Sequence, residues 1–144
     1  MLTFTADPNA TSQLRSTTVT VGARTFTVNQ AGAVGKKFDF DGDGKSDISI
    51  FRPTGGTWYI LKTSPPDTPF GVQFGISTDV IAPADYDGDR KADVAVYRDG
   101  VWYILQSLTN TVRIENFGLS NDRPVPADFD GDGKADIAVY RPTA

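Results

Sequence analysis

One nine-residue pattern occurs three times and constrains this chain more than any other feature. Asp39-Phe40-Asp41-Gly42-Asp43-Gly44-Lys45-Ser46-Asp47 is repeated as Asp85-Tyr86-Asp87-Gly88-Asp89-Arg90-Lys91-Ala92-Asp93 and again as Asp128-Phe129-Asp130-Gly131-Asp132-Gly133-Lys134-Ala135-Asp136. Each copy carries aspartate at positions 1, 3, 5 and 9. Four carboxylates so close repel one another at neutral pH, and no Lys or Arg within the loop can reach all of them. A bound cation would remove that cost.

The donor set identifies the cation. Carboxylate oxygens at positions 1, 3, 5 and 9, with the main-chain carbonyl of position 7 (Lys45, Lys91 and Lys134) turned inward, suit calcium, which accepts six to eight oxygens in a forgiving geometry. Magnesium is a poorer fit because it demands a tight octahedron and keeps its waters. Transition metals normally recruit His or Cys, and the chain contains neither.

Wrapping such a loop around an ion needs a left-handed backbone after the third ligand, where Gly44 and Gly133 stand. Arg90 holds that place in the second copy, so strain and a nearby positive charge are expected to make the middle site the weakest. An EF-hand is excluded, since it needs a bidentate Glu at position 12 between helices. Here position 12 is Ile50, Val96 or Val139, inside β-rich runs. The competing interpretation is three solvated Asp/Gly turns without metal; identical aspartate spacing in all three copies argues against it.

Charge and composition follow from these loops. They own 12 of the 18 acidic residues, so the net charge of -4 is local to them, and three calcium ions would bring it to +2. No basic footprint for nucleic acid is present, and no apolar run reaches the length of a membrane span. With no Cys there is no disulfide framework. The first residues do not form a recognisable signal peptide. At 144 residues the chain is the size of one ordinary domain.

Taken in order, residues 1–33 are rich in Thr, Ser, Asn and Gln and contain three alternating runs: Leu2 to Thr5, Thr17 to Val21 and Thr25 to Val28. The last two flank Gly22-Ala23-Arg24 and predict a β-hairpin with one apolar face. Residues 34–144 are repetitive. Each unit has an apolar approach (Val34 to Phe38, Val80 to Ala84, Val125 to Ala127), the acidic loop, and a strand (Ile48 to Arg52, Val94 to Arg98, Ile137 to Arg141). In the first two units a turn, an aromatic strand (Trp58 to Leu61, Trp102 to Leu105) and a last strand ending at Phe74-Gly75 or Phe117-Gly118 follow. Four short strands in about 45 residues, without helical periodicity, predict propeller blades.

These residues resemble the FG-GAP/VCBS repeats of calcium-binding β-propellers over roughly residues 34–144: the acidic loop, the Ala-Val-Tyr-Arg strand, the Trp-Tyr strand and the Phe-Gly before the next unit. The resemblance implies calcium ligands at Asp39, Asp41, Asp43 and Asp47, at Asp85, Asp87, Asp89 and Asp93, and at Asp128, Asp130, Asp132 and Asp136. Arg90 departs from the pattern. Residues 1–33 look like the last strands of a BACON-type immunoglobulin-like module, in the run from Val19 to Gln30.

The expected fold is therefore all-β, with two complete four-stranded antiparallel blades, a partial third, and an N-terminal hairpin segment. A closed propeller takes four to eight blades, so the count does not close. Residues 14–30 are expected to complete the unfinished structure, within the chain or by strand addition to a neighbouring subunit in a ring or filament. The chain could equally be a fragment of a longer surface protein. With no His, no Cys and only Glu115 besides the aspartates, no enzyme activity is expected. Up to three Ca2+ ions are the expected cofactors, and an extracellular or cell-surface location matches their concentration there. The alternative function is a recognition or adhesion module binding a glycan or protein on the propeller face. Of the pairs Trp58-Tyr59 and Trp102-Tyr103, at least one member each is expected in the core. Arg52, Arg98 and Arg141, which recur at one strand end, are expected in structural salt bridges.

Overall fold

The computed structural model describes residues 5–7, 9, 15–30, 35–65 and 68–142, and every described element is β. Strands β1 (Arg15–Val21) and β2 (Arg24–Gln30) form a hairpin in unbroken antiparallel register, from Arg15 opposite Gln30 to Val21 opposite Arg24. Gly22 and Ala23 make the turn, and Gly22 sits at φ 63°, the conformation a two-residue hairpin turn asks of its first central residue. Val19 faces Phe26 across the pair, with Val21 and Val28 on the same side, and Phe26 and Val28 stay exposed. Leu2, Thr3 and Phe4 of the first alternating run, and Leu14, lie outside the described residues.

Expected completion of the last sheet by residues 14–30 within the chain does not occur: among the described residues this hairpin is a sheet of its own. The reason is local closure. Pairing across a two-residue turn costs far less loop entropy than reaching a strand more than a hundred residues away.

The repeats form three separate sheets. β3 (Ile48–Arg52), β4 (Thr57–Leu61) and β5 (Pro69–Gln73) make a three-stranded meander. β6 (Val80–Ile81), β7 (Val94–Arg98), β8 (Val101–Leu105) and β9 (Val112–Asn116) make a four-stranded one. β10 (Arg123–Pro124) and β11 (Val139–Tyr140) pair alone. Among the described residues, the full four-strand unit is thus seen once.

In the first sheet the expected approach strand is missing because Phe38 adopts φ 63°, a left-handed kink, and Gly35 stands where the second unit has the β-former Ile81; Val34 lies outside the described residues. Only the last rung survives, from the Asp47 N–H to the Phe38 carbonyl at 2.6 Å. The third unit's strand is shorter than Ile137 to Arg141 because its described pairing partner, β10, meets it at two residues.

Strand alternation assigns the core. Trp58 and Ile60 point to one side of β4, Trp102 and Ile104 to the same side of β8, and all four are buried. Each indole N–H donates to the carbonyl at the end of its sheet's last strand, Trp58 to Phe74 and Trp102 to Phe117, both at 2.9 Å. The alternate residues Tyr59 and Tyr103 lie on the opposite side. One side of the second sheet packs on Phe40, Trp58 and Ile60 of the first unit, the other takes Ile137 and Val139 of the third. The units are stacked.

Glycine is required where consecutive turns meet. A Cβ on Gly56 would lie 2.0 Å from the Gly75 carbonyl oxygen, and one on Gly100 would lie 2.6 Å from that of Gly118.

Trp102→Ala should lower unfolding free energy by about 3–5 kcal/mol, whereas Tyr59→Ala, at an exposed position, should cost less than about 1 kcal/mol. Urea denaturation followed by far-ultraviolet circular dichroism checks the contrast.

Candidate metal centres

All three acidic loops fold by the same hydrogen bonds, and the aspartates make them. The position-1 carboxylate accepts two backbone N–H groups with its two oxygens. For Asp39 they come from Gly42 at 2.8 Å and Gly44 at 2.9 Å, for Asp85 from Gly88 at 2.6 Å and Arg90 at 2.8 Å, and for Asp128 from Gly131 at 2.7 Å and Gly133 at 3.0 Å. Position 3 accepts the N–H of position 5, and position 5 accepts that of position 7, Lys45, Lys91 or Lys134, at 2.8 Å in each copy. Position 9 reaches back to the N–H of position 2, from Asp47 to Phe40, Asp93 to Tyr86 and Asp136 to Phe129. A final rung closes the neck, from the position-9 N–H to the carbonyl preceding position 1.

The required left-handed residues are where the spacing puts them. Gly44 has φ 85° and Gly133 φ 89°, while Arg90 is held at φ 72° with its N–H bond to Asp85 intact. The second loop keeps the shared geometry and bears the strain of a side chain in that region.

A second segment walls two of the loops. Thr63 donates through its N–H (2.8 Å) and hydroxyl (3.2 Å) to Asp47 Oδ1, and Ser64 donates through both groups to Asp41 Oδ2. In the second unit the Ser107 N–H reaches Asp93 at 2.7 Å, its hydroxyl reaches Asp89 at 2.9 Å, and the Leu108 N–H reaches Asp87 at 3.0 Å. Sequence reasoning missed this wall. Its signal is the shared Leu-x-Thr/Ser that follows each aromatic strand, Leu61-Lys62-Thr63 and Leu105-Gln106-Ser107.

Burial of these carboxylates is costly. Asp39, Asp47, Asp85 and Asp93 are buried, and the one salt bridge to a loop aspartate among the described residues is the solvent-facing Lys45–Asp43 contact at 3.3 Å. Desolvation pushes Asp39 and Asp85 above the usual carboxylate range against the pull of their N–H donors, and it drives Asp93 up to about 7. Asp41 moves the other way, lowered chiefly by the Ser64 hydroxyl.

Ligand oxygens of Asp39, Asp41 and Asp43 lie within 4.8 Å of one another, as do those of Asp85, Asp87 and Asp93 and those of Asp128, Asp130 and Asp136. Two oxygens each bound at roughly 2.4 Å to one ion cannot be more than about 4.8 Å apart. The clusters and their all-oxygen donor set therefore fit a calcium-sized ion. They do not gather all four aspartates of a loop: Asp47 stands outside the first cluster, Asp89 and Asp132 outside the others. Those three carboxylates, like the clustered ones, hold backbone or hydroxyl donors of the loop and its wall.

Successive loops are hooked together. The Ala92 N–H donates to the Asp39 carbonyl at 2.5 Å, and the Ala135 N–H to the Asp85 carbonyl at 2.6 Å.

The recurring arginines are structural where a partner exists. Arg98 makes a two-pronged bond to Asp79 (2.6 and 2.9 Å) and Arg141 one to Asp122 (2.7 and 2.8 Å), with both carboxylates buried. Asp79 and Asp122 each stand six residues before a loop, in Phe-Gly-Ile-Ser-Thr-Asp and Phe-Gly-Leu-Ser-Asn-Asp, a longer repeat than the Phe-Gly alone. Ala33 holds that place before the first loop. Arg52 lies over the Tyr59 ring at 4.7 Å, as Arg98 lies over Tyr103.

A stack of small antiparallel sheets, each carrying an aspartate-rich loop that leads into its β3, β7 or β11 strand, defines a repeat protein of the propeller-like class. The FG-GAP-like repeat signature matches residues 39–96 and 85–139, and the chain belongs to that family. Neither match reaches the β1–β2 hairpin. No curated protein and no solved structure matches the chain.

A pH prediction follows from the buried aspartates. A carboxyl whose folded pKa lies above its unfolded value makes the protein less stable as pH rises through that interval. The chain has no His and no Cys, so between about pH 5 and 7.5 the raised carboxyls dominate its side-chain titration. In chelator, the thermal midpoint should therefore fall as pH rises from 5 to about 7.5, and Asp93→Asn should flatten the slope, read by differential scanning calorimetry.

Proposed function

We propose that the chain is a non-enzymatic, calcium-binding structural module of an extracellular or cell-surface protein, with calcium holding each acidic loop closed. The observation that carries this reading is the threefold recurrence of one loop geometry that brings three carboxylate oxygens of each copy within 4.8 Å. When bound, the ion supplies the positive charge that the buried aspartates otherwise lack. Position-1 and position-3 aspartates serve as ligands in every loop, joined by Asp43 in the first and by Asp93 and Asp136 in the others; the position-7 carbonyls of Lys45, Lys91 and Lys134 complete the proposed shells. The strained, cationic Arg90 makes the second site the weakest. Calcium concentrations outside cells suit sites of this kind, which in extracellular modules bind at roughly 0.1–1 mM.

Self-association belongs to the same reading. Residues 1–33 are a segment distinct from the repeats at 34–144, and their hairpin pairs with no further strand among the described residues and has an apolar side that a neighbouring chain could take up. The alternative, a glycan- or protein-binding module, loses most of its aromatic platform, since Trp58 and Trp102 are core residues and Tyr59 is the exposed member of the pairs.

Thermal unfolding in calcium and in chelator tests the proposal. At a calcium concentration ten times the dissociation constant, each occupied site should add about 1.4 kcal/mol of stability. Asp39→Ala, Asp85→Ala and Asp128→Ala should each remove part of the calcium-dependent shift. A midpoint indifferent to calcium up to about ten times that affinity range would refute the reading. Deleting residues 1–30 tests strand donation, which predicts loss of association.

A further inference from the structure

The stack contains the same interface twice. At the first occurrence, Val94, Val96, Tyr103 and Leu105 on one side of the second sheet pack against Phe40, Trp58 and Ile60 of the first unit. At the second, Ile137 and Val139 of the third unit pack against Tyr86, Tyr97 and Trp102 on the other side of the second sheet. The second unit therefore has an aliphatic side that receives the unit before it and an aromatic side that receives the unit after it. A polar hook accompanies each contact: the position-8 N–H bonds to the position-1 carbonyl of the preceding loop. The position-7 lysine also lies over the position-4 glycine of that loop, Lys91 within 3.2 Å of a Cβ placed at Gly42 and Lys134 within 3.0 Å of one placed at Gly88.

The two outermost sides of the stack are the unmatched halves of this interface. On the first sheet, Ile48, Ile50, Tyr59 and Leu61 hold the places of Val94, Val96, Tyr103 and Leu105, yet face solvent; Ile50 is 58% exposed against 1% for Val96. On the third, Phe129 and Tyr140 hold the places of Tyr86 and Tyr97, and are 67% and 56% exposed against 2% for each counterpart. The lysine hook is open as well. A Cβ on Gly131 would meet nothing within 4 Å, and the Lys45 side chain is 71% exposed.

We propose that the chain associates head to tail with a second copy of itself, the aliphatic side of the first sheet seating on the aromatic side of the third sheet of the next copy. Lys45 then covers Gly131 of that copy, and the Ser46 N–H meets its Asp128 carbonyl. The occupant is a second copy because both open sides belong to one chain: the aliphatic side repeats the one buried in the second sheet, and Phe129 and Tyr140 repeat the Tyr86 and Tyr97 part of the aromatic side that such a surface packs on. Contiguous exposed apolar surface of this kind marks an interaction site. The contact is heterologous, so it gives a ring if the rotation closes and a filament if it does not. This deepens the assembly part of the proposed function, and it rests on the repeat faces instead of the β1–β2 hairpin or an ion.

Sedimentation velocity of the full chain in calcium, over a wide concentration range, tests it with Ile50→Glu on one side and Tyr140→Glu on the other. The wild type should grow in mass with concentration, and each variant alone should stay monomeric. An equimolar mixture of the two variants should form a one-to-one complex and stop there, since one intact pair of faces remains. A wild type that is monomeric throughout, or a mixture that stays monomeric, would overturn the proposal. Both variants keep the hairpin, so strand donation would survive them; variants that assemble like the wild type also overturn the face-to-face contact. Ile48→Glu repeats the test on the first side if Ile50→Glu fails to fold, and the calcium-dependent melting shift, read separately, reports on the loops alone.

Discussion

The position-1 aspartate's grip on two backbone N–H groups is the interaction on which the rest of this structure depends. With one oxygen on position 4 and the other on position 6, Asp39, Asp85 and Asp128 fold their loops into tight coils before any other part of the repeat is considered. The coil brings two further carboxylates of each loop close to that of position 1. It also aims the position-1 carbonyl at the next loop, where Ala92 and Ala135 donate to it. One side chain thereby sets both the ion site and the spacing between units. Backbone dipoles alone do not offset the cost of burying these charges, as the upward displacement of Asp39 and Asp85 shows, and a divalent cation is the natural complement.

The sheets carry the stacking outward from the loops. Tryptophan on one side and branched aliphatics on the other make the second unit an adaptor between its neighbours. β7 is buried on both sides, whereas β3 alternates between exposed and half-buried residues, although the two strands are alike in sequence. Position in the stack, more than hydrophobicity, decides burial. The arginine latch at Asp79 and Asp122 adds a polar tie between the entry to a sheet and the end of its second strand. Where Ala33 replaces the aspartate, Arg52 keeps its aromatic contact but has no such carboxylate six residues before its loop.

Much of this was legible in the residues. Aspartate spacing located the loops, the left-handed place that Gly44, Arg90 and Gly133 hold followed from the need to coil, and the repeated Trp-Tyr pairs promised at least one core member each, which the structure shows to be the tryptophans. What could not be read depended on contacts far apart in sequence or on backbone angles with no residue signature. The Thr63-Ser64 wall lies 16 to 23 residues from the aspartates it touches, and only comparison of the two units exposes it. The left-handed Phe38, which ends the first approach segment, has no glycine to announce it. A hairpin that pairs with itself uses the same alternation as a donor strand, so the pattern of residues 15–30 left both outcomes open. Equally, equivalent sheet sides read alike whether or not a neighbour covers them.

The measurement that bears most directly on this account is isothermal titration of the metal-free chain with calcium, because it counts sites without reference to stability. Three bound ions per chain, with the weakest class abolished by Asp85→Ala and strengthened by Arg90→Gly, is the predicted result. No saturable binding up to about 10 mM calcium, ten times the upper affinity expected of extracellular modules, would contradict it and leave the aspartates as turn-forming residues that serve the backbone alone.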